Sequence, residues 1–417
     1  MTLDLTAKWY NAVVRDCHLD PKTFQLVQGN MVLDYTSEFL WNILDAVPPE
    51  SVTHLYNPAQ VNNFSDNYGA IISSLEPSTT LVQEAVATWN AAGGSTAVKT
   101  YNNTINNLLQ ELNRAQGFEV TMNTTSESTD LSQTWTKGTV EIPLHPFRLA
   151  KGKNRAPGET LELANAIIKV QFQHLLTFVA GPLSKQSTLD SDLKDYKPWY
   201  RPAALQLAYS ERKAWSNPES WKTYFGQQGS MLRRCTSLVV VDGVRTVTTP
   251  GRELGASRHQ EVNTAGSRAV FWPFPVNDLI VQETDGDQLI MNSPTGNPFI
   301  LGVNVLTLPE YLGASRDRTS GFIGVKNTGG FVARFSVHYE QDGTQKTIKS
   351  DNFTAGTQKV IPIPPDAKNI YVKIEEQYWI NKWSTVCAFG LVKPDKKCYE
   401  VYGTTLNAHC KEIQCWS

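Results

Sequence analysis

The 417-residue chain lacks a run of apolar residues long enough to span a bilayer as a helix, which takes about eighteen or more. Its first residues, Met1-Thr2-Leu3-Asp4-Leu5, show no basic segment followed by an apolar one. The expectation is a soluble protein, released by a route without a visible signal peptide and acting afterwards at a target-cell membrane. Net charge is only −2, too little positive charge for a nucleic-acid binder that neutralises phosphates. The same balance gives no general pull towards anionic lipid, so membrane contact needs local apolar or aromatic groups. No G-x-S-x-G, phosphate-loop, H-E-x-x-H or dinucleotide fingerprint is present, and the isolated Gly226-Gln-Gln-Gly229 makes no phosphate cradle. The seven histidines never fall three or four residues apart, so no helix face carries two ligands. Carboxylate pairs such as Asp190/Asp192 and Glu375/Glu376 read as solvated. No cofactor, metal or enzymatic activity is expected.

What the chain does have is tryptophan and a clustered set of cysteines. Several of its eleven Trp sit in polar contexts (Trp135, Trp199, Trp215, Trp221, Trp379, Trp383 and Trp416), where an amphipathic ring suits a lipid, sugar or protein interface; about half fit an ordinary core. Of six Cys, Cys387, Cys398, Cys410 and Cys415 fall near the C-terminus, which suggests one or two local disulfides and an oxidising medium. Free thiols, or a metal site with His409, are the alternatives, and zinc is disfavoured because no C-x-x-C pair occurs. The sequons at Asn63, Asn102, Asn123 and Asn352 carry little weight without a leader.

The pattern along the chain predicts an α+β protein: a mixed, helix-leaning effector region over 1–234, an antiparallel β region over 235–320 that continues it, and a C-terminal β-sandwich over 321–417. Ser37–Leu44 and Thr80–Trp89 are spaced as helices, as is Ala97–Gln116, where Tyr101, Ile105, Leu108, Leu109 and Leu112 recur. Thr121–Ser132 reads as an exposed loop. Gly158–Val179 reads as the most apolar helix. It fits a buried core helix, with a membrane-inserting helix carried by Ile167, Ile168, Leu175 and Phe178 as the alternative. Thr139–Leu149 partly alternates apolar and polar residues. From about 235 the period becomes two, and hairpins are expected around Asp242-Gly243, Asp285-Gly286 and Asp342-Gly343. Leu312–Ser320 is the expected linker.

Beyond 321, the runs Phe322–Val325, Phe331–Val337, Lys359–Ile363, Ile370–Ile374 and Tyr399–Tyr402 alternate as strands of a sandwich. Two turns are rich in apolar side chains, Glu375–Ser384 and Gly403–Asn407, and such tips cost solubility unless they meet a partner. Val325-Lys-Asn-Thr-Gly-Gly-Phe-Val-Ala-Arg-Phe-Ser-Val337 resembles the entry strands of the terminal domain of cholesterol-dependent cytolysins. Ile363–Lys373 is similar to the strand leading into that family's Trp-rich undecapeptide, and Tyr402-Gly-Thr-Thr-Leu-Asn407 resembles its Gly-Thr-Thr-Leu loop. The three motifs, in order, span about a quarter of the chain, and residues 1–320 resemble no family.

The resemblance implies a membrane-docking sandwich in which Thr405 and Leu406 stand where the family recognises cholesterol. It also implies that Tyr378, Trp379, Ile380 and Trp383 enter the interface, with assembly into homo-oligomers on the membrane. Ungapped alignment puts Glu376 and Gln377 where the family has Glu-Cys, and Val386 where it has a closing arginine, so thiol activation is not expected. The reading is a membrane-active toxin, pore-forming or otherwise cytotoxic, whose partner is target-membrane lipid, sterol included, or surface glycan, with no nucleic acid. The rival readings are a lectin-like receptor-binding protein without pore activity and a secreted enzyme with a binding appendage.

Overall fold

A computed structural model of the chain describes residues 2–48, 62–128, 165–184, 193, 195–251, 281–285, 288–314, 319–342 and 344–416. Helix α1 (Thr2–Asp16) and strand β1 (Phe24–Val32) lead into α2 (Ser37–Asp45), α3 (Phe64–Ser73), α4 (Thr80–Ala91) and α5 (Ile105–Leu112). Strands β2 (Phe118–Asn123) and β3 (Ile167–Val179) follow, then α6 (Pro202–Ser210) and α7 (Trp221–Phe225). Strands β4 (Arg233–Thr249), β5 (Val281–Asp285), β6 (Gln288–Asn292) and β7 (Phe299–Thr307) complete the first body.

These seven strands form one antiparallel sheet in the order β1-β7-β4-β3-β2, with the β5–β6 hairpin alongside β4. One face packs against α1, where Trp9, Tyr10 and Val13 meet Val120, Ile168 and Val239. The other face packs against the α2–α6 layer, whose Trp41, Tyr68 and Leu108 meet Phe178, Leu238 and Val240. Burial of both faces explains the continuous apolar stretches Leu238–Val241 of β4 and Phe299–Leu301 of β7. The α+β expectation and the C-terminal sandwich are as the sequence implied, and the strands from Phe24–Val32 to Phe299–Thr307 share this sheet.

Several local expectations need correcting. The segment Ile167–Val179 is a strand, and no membrane-inserting helix exists there. Ile168, Val170 and Phe172 are buried while Ile167, Lys169 and Gln171 are exposed, a period of two that the apolar run also satisfied. Leu175 and Phe178 are core residues. Among the described residues no helix is long and apolar enough to cross a membrane. The helix expected over 97–116 shortens to α5, because Thr104 caps it by accepting from the Asn107 N–H, and Tyr101 instead bridges Pro182. Thr121–Asn123 belong to β2 rather than to a loop, and Thr124 is buried. The alternating stretch Thr139–Leu149, like Trp135, Asp190 and Asp192, lies outside the described residues.

Asp242-Gly243 is not a hairpin turn. β4 runs straight through it, with Gly243 at φ 63°, and the pairing with β3 skips Gln173 opposite Gly243. Both strands change the face they bury at this level: Val239, Val241 and Val244 share the α1-side core, while Leu238 and Val240 take the other. Gly243 supplies the positive φ that this kink demands, and a Cβ there would meet the Gln173 side chain at 2.7 Å. The buried Asp242 carboxylate accepts from the Gly296 N–H at 2.9 Å and the Asn297 N–H at 3.1 Å. It thereby pins the β6–β7 connection where β4 changes partner from β7 to β6. The other two hairpins are present, closing with Asp285 opposite Gln288 and Gln341 opposite Thr344.

After the short helix Leu308–Tyr311, the chain enters the sandwich through β8 (Gly321–Asn327), β9 (Val332–Gln341), β10 (Thr344–Lys349) and β11 (Gln358–Ile363). Strands β12 (Lys368–Trp379), β13 (Lys382–Leu391), β14 (Lys396–Thr404) and β15 (Asn407–Ile413) complete it. The two sheets are β10-β9-β12-β13 and β11-β8-β14-β15. Ile323, Phe335, Val372, Ile374 and Val401 fill the space between them. One disulfide, Cys387–Cys410, joins β13 to β15 across the two sheets, and a second, Cys398–Cys415, ties the C-terminal tail to β14. Cys17 and Cys235 are free and buried. No group of residues able to hold a metal ion occurs among the described residues.

Replacing Asp242 by Ala removes the buried acceptor shared by the Gly296 and Asn297 N–H groups and so unfastens the β6–β7 connection from β4. The expected loss is about 2–3 kcal/mol of stability with the fold retained, read as a lowered denaturation midpoint at an unchanged circular dichroism spectrum.

Candidate functional site at the free end of the sandwich

Strand register brings the two apolar turns to one end of the sandwich. β12 pairs with β9 so that Gln377 lies opposite Val332, the first residue of β9. β14 runs parallel to β8, with Val401 opposite Asn327, the last residue of β8. The connection 328–331 between these strands therefore sits between both tips, and the Gly330 N–H donates to the Gly403 carbonyl at 2.9 Å.

The first tip is a tight hairpin in which Trp379 pairs with Lys382 and Asn381 takes φ 59°. The second closes with Thr404 opposite Asn407, leaving Thr405 and Leu406 at the turn. Trp379 is 67% exposed, Ile380 77% and Leu406 96%, values that leave these large apolar side chains uncovered among the described residues. Tyr378 is also exposed and Thr405 is half-buried.

Trp383 behaves differently from its neighbours. It lies half-buried on the outward face of the sheet, with the Arg334 guanidinium 3.9 Å above its ring. Arg334 is held in turn by Glu375 at 2.9 Å, and Lys373 pairs with the same carboxylate at 3.0 Å. These two cations hold the Glu375 carboxyl below its ordinary range against the opposing effect of burial. Trp383 thus braces the base of the tip. Glu376, by contrast, is 6% exposed, one of its carboxylate oxygens has no hydrogen-bond partner among the described residues, and burial raises its pKa.

A residue whose role the sequence did not disclose organises this end. Asn327 is fully buried, and its side-chain amide donates to the Phe331 carbonyl at 2.7 Å and the Phe353 carbonyl at 3.3 Å. Its amide oxygen accepts from the Gly329 N–H at 2.9 Å. Its backbone N–H and C=O bond Thr357 and Gly356. One side chain therefore fixes the 328–331 connection and the 350–357 loop against each other. The Asn-Thr-Gly-Gly string was visible as a motif, but only the tertiary fold brings Phe353 within reach.

Asn327→Ala removes three buried hydrogen bonds at once. Stability is expected to fall by about 3 kcal/mol, and hydrogen exchange should rise at 328–331 and 350–357 before it rises in the strands.

Residues 322–409 match the thiol-activated cytolysin beta sandwich domain. No curated protein matches this chain. Among solved structures, the membrane-binding domain of pneumolysin is 20% identical, covers 24% of this chain and 100% of its own, and has a TM-score of 0.20. A non-hemolytic pneumolysin from Streptococcus pneumoniae strain ST306 is 13% identical over 60% of this chain and 48% of its own, at a TM-score of 0.20. The cytotoxin protein suilysin from Streptococcus suis is 10% identical over 60% of each chain, again at 0.20. The match therefore spans less than two thirds of these longer chains. The C-terminal module of this protein resembles the β-sandwich domain of the thiol-activated cytolysins.

Proposed function

We propose that this protein is a membrane-active toxin of cytolysin type that docks through the free end of its sandwich. The observation that carries the reading is the convergence of Tyr378, Trp379, Ile380 and Leu406, four exposed apolar side chains from two separate hairpins, at one end of a rigid, doubly stapled domain. Burying each in the headgroup region contributes about 1–3 kcal/mol, enough for reversible attachment of one copy. Homo-oligomers on the membrane would hold more firmly through avidity. The two disulfides suit a protein that works outside the reducing cytosol. Thr405-Leu406 keeps a sterol as the favoured lipid. Gln377 in place of a cysteine removes thiol activation. No catalytic role is assigned to the chain.

Pore formation is the further part of this reading. The strand ends that flank the connections 124–166 and 250–280 lie at one end of the body sheet, since Ile167 is opposite Asn123 on one side and Thr249 on the other. A transmembrane strand needs about 9–11 residues, so each connection is long enough for a hairpin, and the alternation of Thr139–Leu149 suits one. The exposed rings of Tyr378 and Trp379 also suit stacking on a sugar, which supports surface glycan as a second partner class.

Flotation with sterol-containing liposomes tests docking: the double variant Trp379→Ala/Leu406→Ala should stay at the bottom of the gradient while remaining folded. Unchanged flotation removes the docking claim, and glycan-array binding without flotation favours the lectin-like reading. For the pore, wild-type protein should release dye from sterol, sphingolipid or glycolipid vesicles. Silence with every mixture rejects pore formation and leaves docking standing.

A further inference from the structure

The outward face of the β9-β12-β13 sheet has two uses. Its lower part carries Arg334, Glu375 and Trp383 beside the tip, while its upper part is pressed against the body. At the contact, Gly390 of β13 leaves no room for a side chain, because a Cβ there would meet Val179 of β3 at 2.0 Å. Gly181, just past β3, is closed in the same way by the Asn369 side chain of β12 at 2.7 Å. Two buried carboxylates flank this contact, one from each body. Glu111 of α5 is 8% exposed and hydrogen-bonds the Tyr371 phenol of β12. Glu340 of β9 is 7% exposed and accepts from the Asn369 amide at 3.1 Å.

Neither carboxylate has a close ion pair among the described residues, although both have cations in their surroundings. Around Glu111 these are Arg114, two residues past the end of α5, and Lys373 from β12. Tyr371 also feels Glu375, and the His338 ring of β9 lies 5.8 Å from it, bonded to Ser336 and Thr347. On the body side, His174 of β3 bonds the Ala115 carbonyl beyond the end of α5. Around Glu340 stand Lys368 and the buried Arg234, whose guanidinium lies over Phe64 at 4.2 Å and near Tyr101 and Tyr311. A cleft of about 520 Å³ lined by Tyr200, Tyr311, Glu340, Asp342, Asp366 and Lys368 gives solvent a route to this end.

We propose that the junction is a proton-controlled latch, in which Glu111 and Glu340 hold the sandwich against the body more tightly as the pH falls and release it as the pH rises. Burial is the cause, since taking an ionised carboxylate out of water costs more than these cations return. Glu111 is pushed up to about 7 from the ordinary 4.5, and Glu340 is raised in the same direction. The closed junction therefore binds more protons than the open one. Its extra stability is fully present below the ordinary glutamate range and is lost as the pH rises through about 7. For Glu111 alone the change in the opening equilibrium is bounded at roughly 300-fold, the factor that corresponds to the interval between 4.5 and about 7. Acid would keep the sandwich docked, and neutral to alkaline medium would free it to tilt on its target.

The test is a pH series from 5.5 to about 8.5 on the full chain, reading the body–sandwich distance by energy transfer between dyes at Ser95→Cys and Asp351→Cys, both exposed sites. Thermal midpoints are taken alongside. Wild type should hold one close distance at the acid end and lose both distance and midpoint through pH 7. Glu111→Gln should keep the acid-end behaviour throughout, Glu340→Gln should do so in part, and the exposed control Glu219→Gln should follow wild type. If Glu111→Gln fails to fold, the Glu340→Gln and wild-type profiles still decide. A wild-type profile that is flat or opens in acid overturns the proposal, as does a folded Glu111→Gln whose profile matches wild type.

Discussion

The free end of the sandwich depends on one buried amide. Asn327 satisfies two carbonyls, 4 and 26 residues away along the chain, and one N–H, 2 residues away. Loops ordinarily leave such groups to water. Here they are satisfied inside the protein, so the connection between β8 and β9 becomes a rigid floor. Both apolar hairpins are fastened to that floor, one through Val332 opposite Gln377 and the other through the Gly330–Gly403 hydrogen bond. Exposed tryptophan on a floppy loop would collapse onto its own surface. On a fixed hairpin braced by Arg334 over Trp383 it stays presented.

The same economy runs through the body. A carboxylate at Asp242 and a glycine at 243 let β4 kink without losing β3, so the sheet changes the faces it buries partway along its length. The helical layer on one face and α1 on the other close over it, and the sandwich docks at the end of β3 where small residues permit close approach. Two carboxylates buried at that contact are poor choices for maximal stability, since apolar residues would pack there at no electrostatic cost. Their presence points to adjustability at the joint.

Much of the sandwich was legible because its determinants are local. Period-two alternation, the Asp342-Gly343 hairpin and the Gly403–Asn407 turn each report on a few consecutive residues, and the family motifs follow the same strands. The body was harder to read. Ile167–Val179 satisfies both a helical and a strand period, and only its pairing with β2 and β4 decides between them. Asp242-Gly243 carries the residues of a tight turn, yet the ladder on both sides of β4 makes it a kink within a strand. That Arg334 lies over the Trp383 ring was not legible, because sequence does not say where a guanidinium from another strand will lie. The cysteine cluster suggested staples without naming pairs, which depend on β13 and β15 facing each other across the core.

By itself, then, the sequence determined an α+β chain with a C-terminal sandwich, two hairpin tips rich in aromatic and aliphatic groups, and a net charge of only −2. These follow from short-range periodicity, turn chemistry and composition. Tertiary structure alone decided that the hairpins share one end, that Asn327 holds them there, and that Glu111 and Glu340 are buried where the sandwich meets the body. Each of those depends on residues far apart in the chain, brought together by strand register and by the desolvation that close packing imposes.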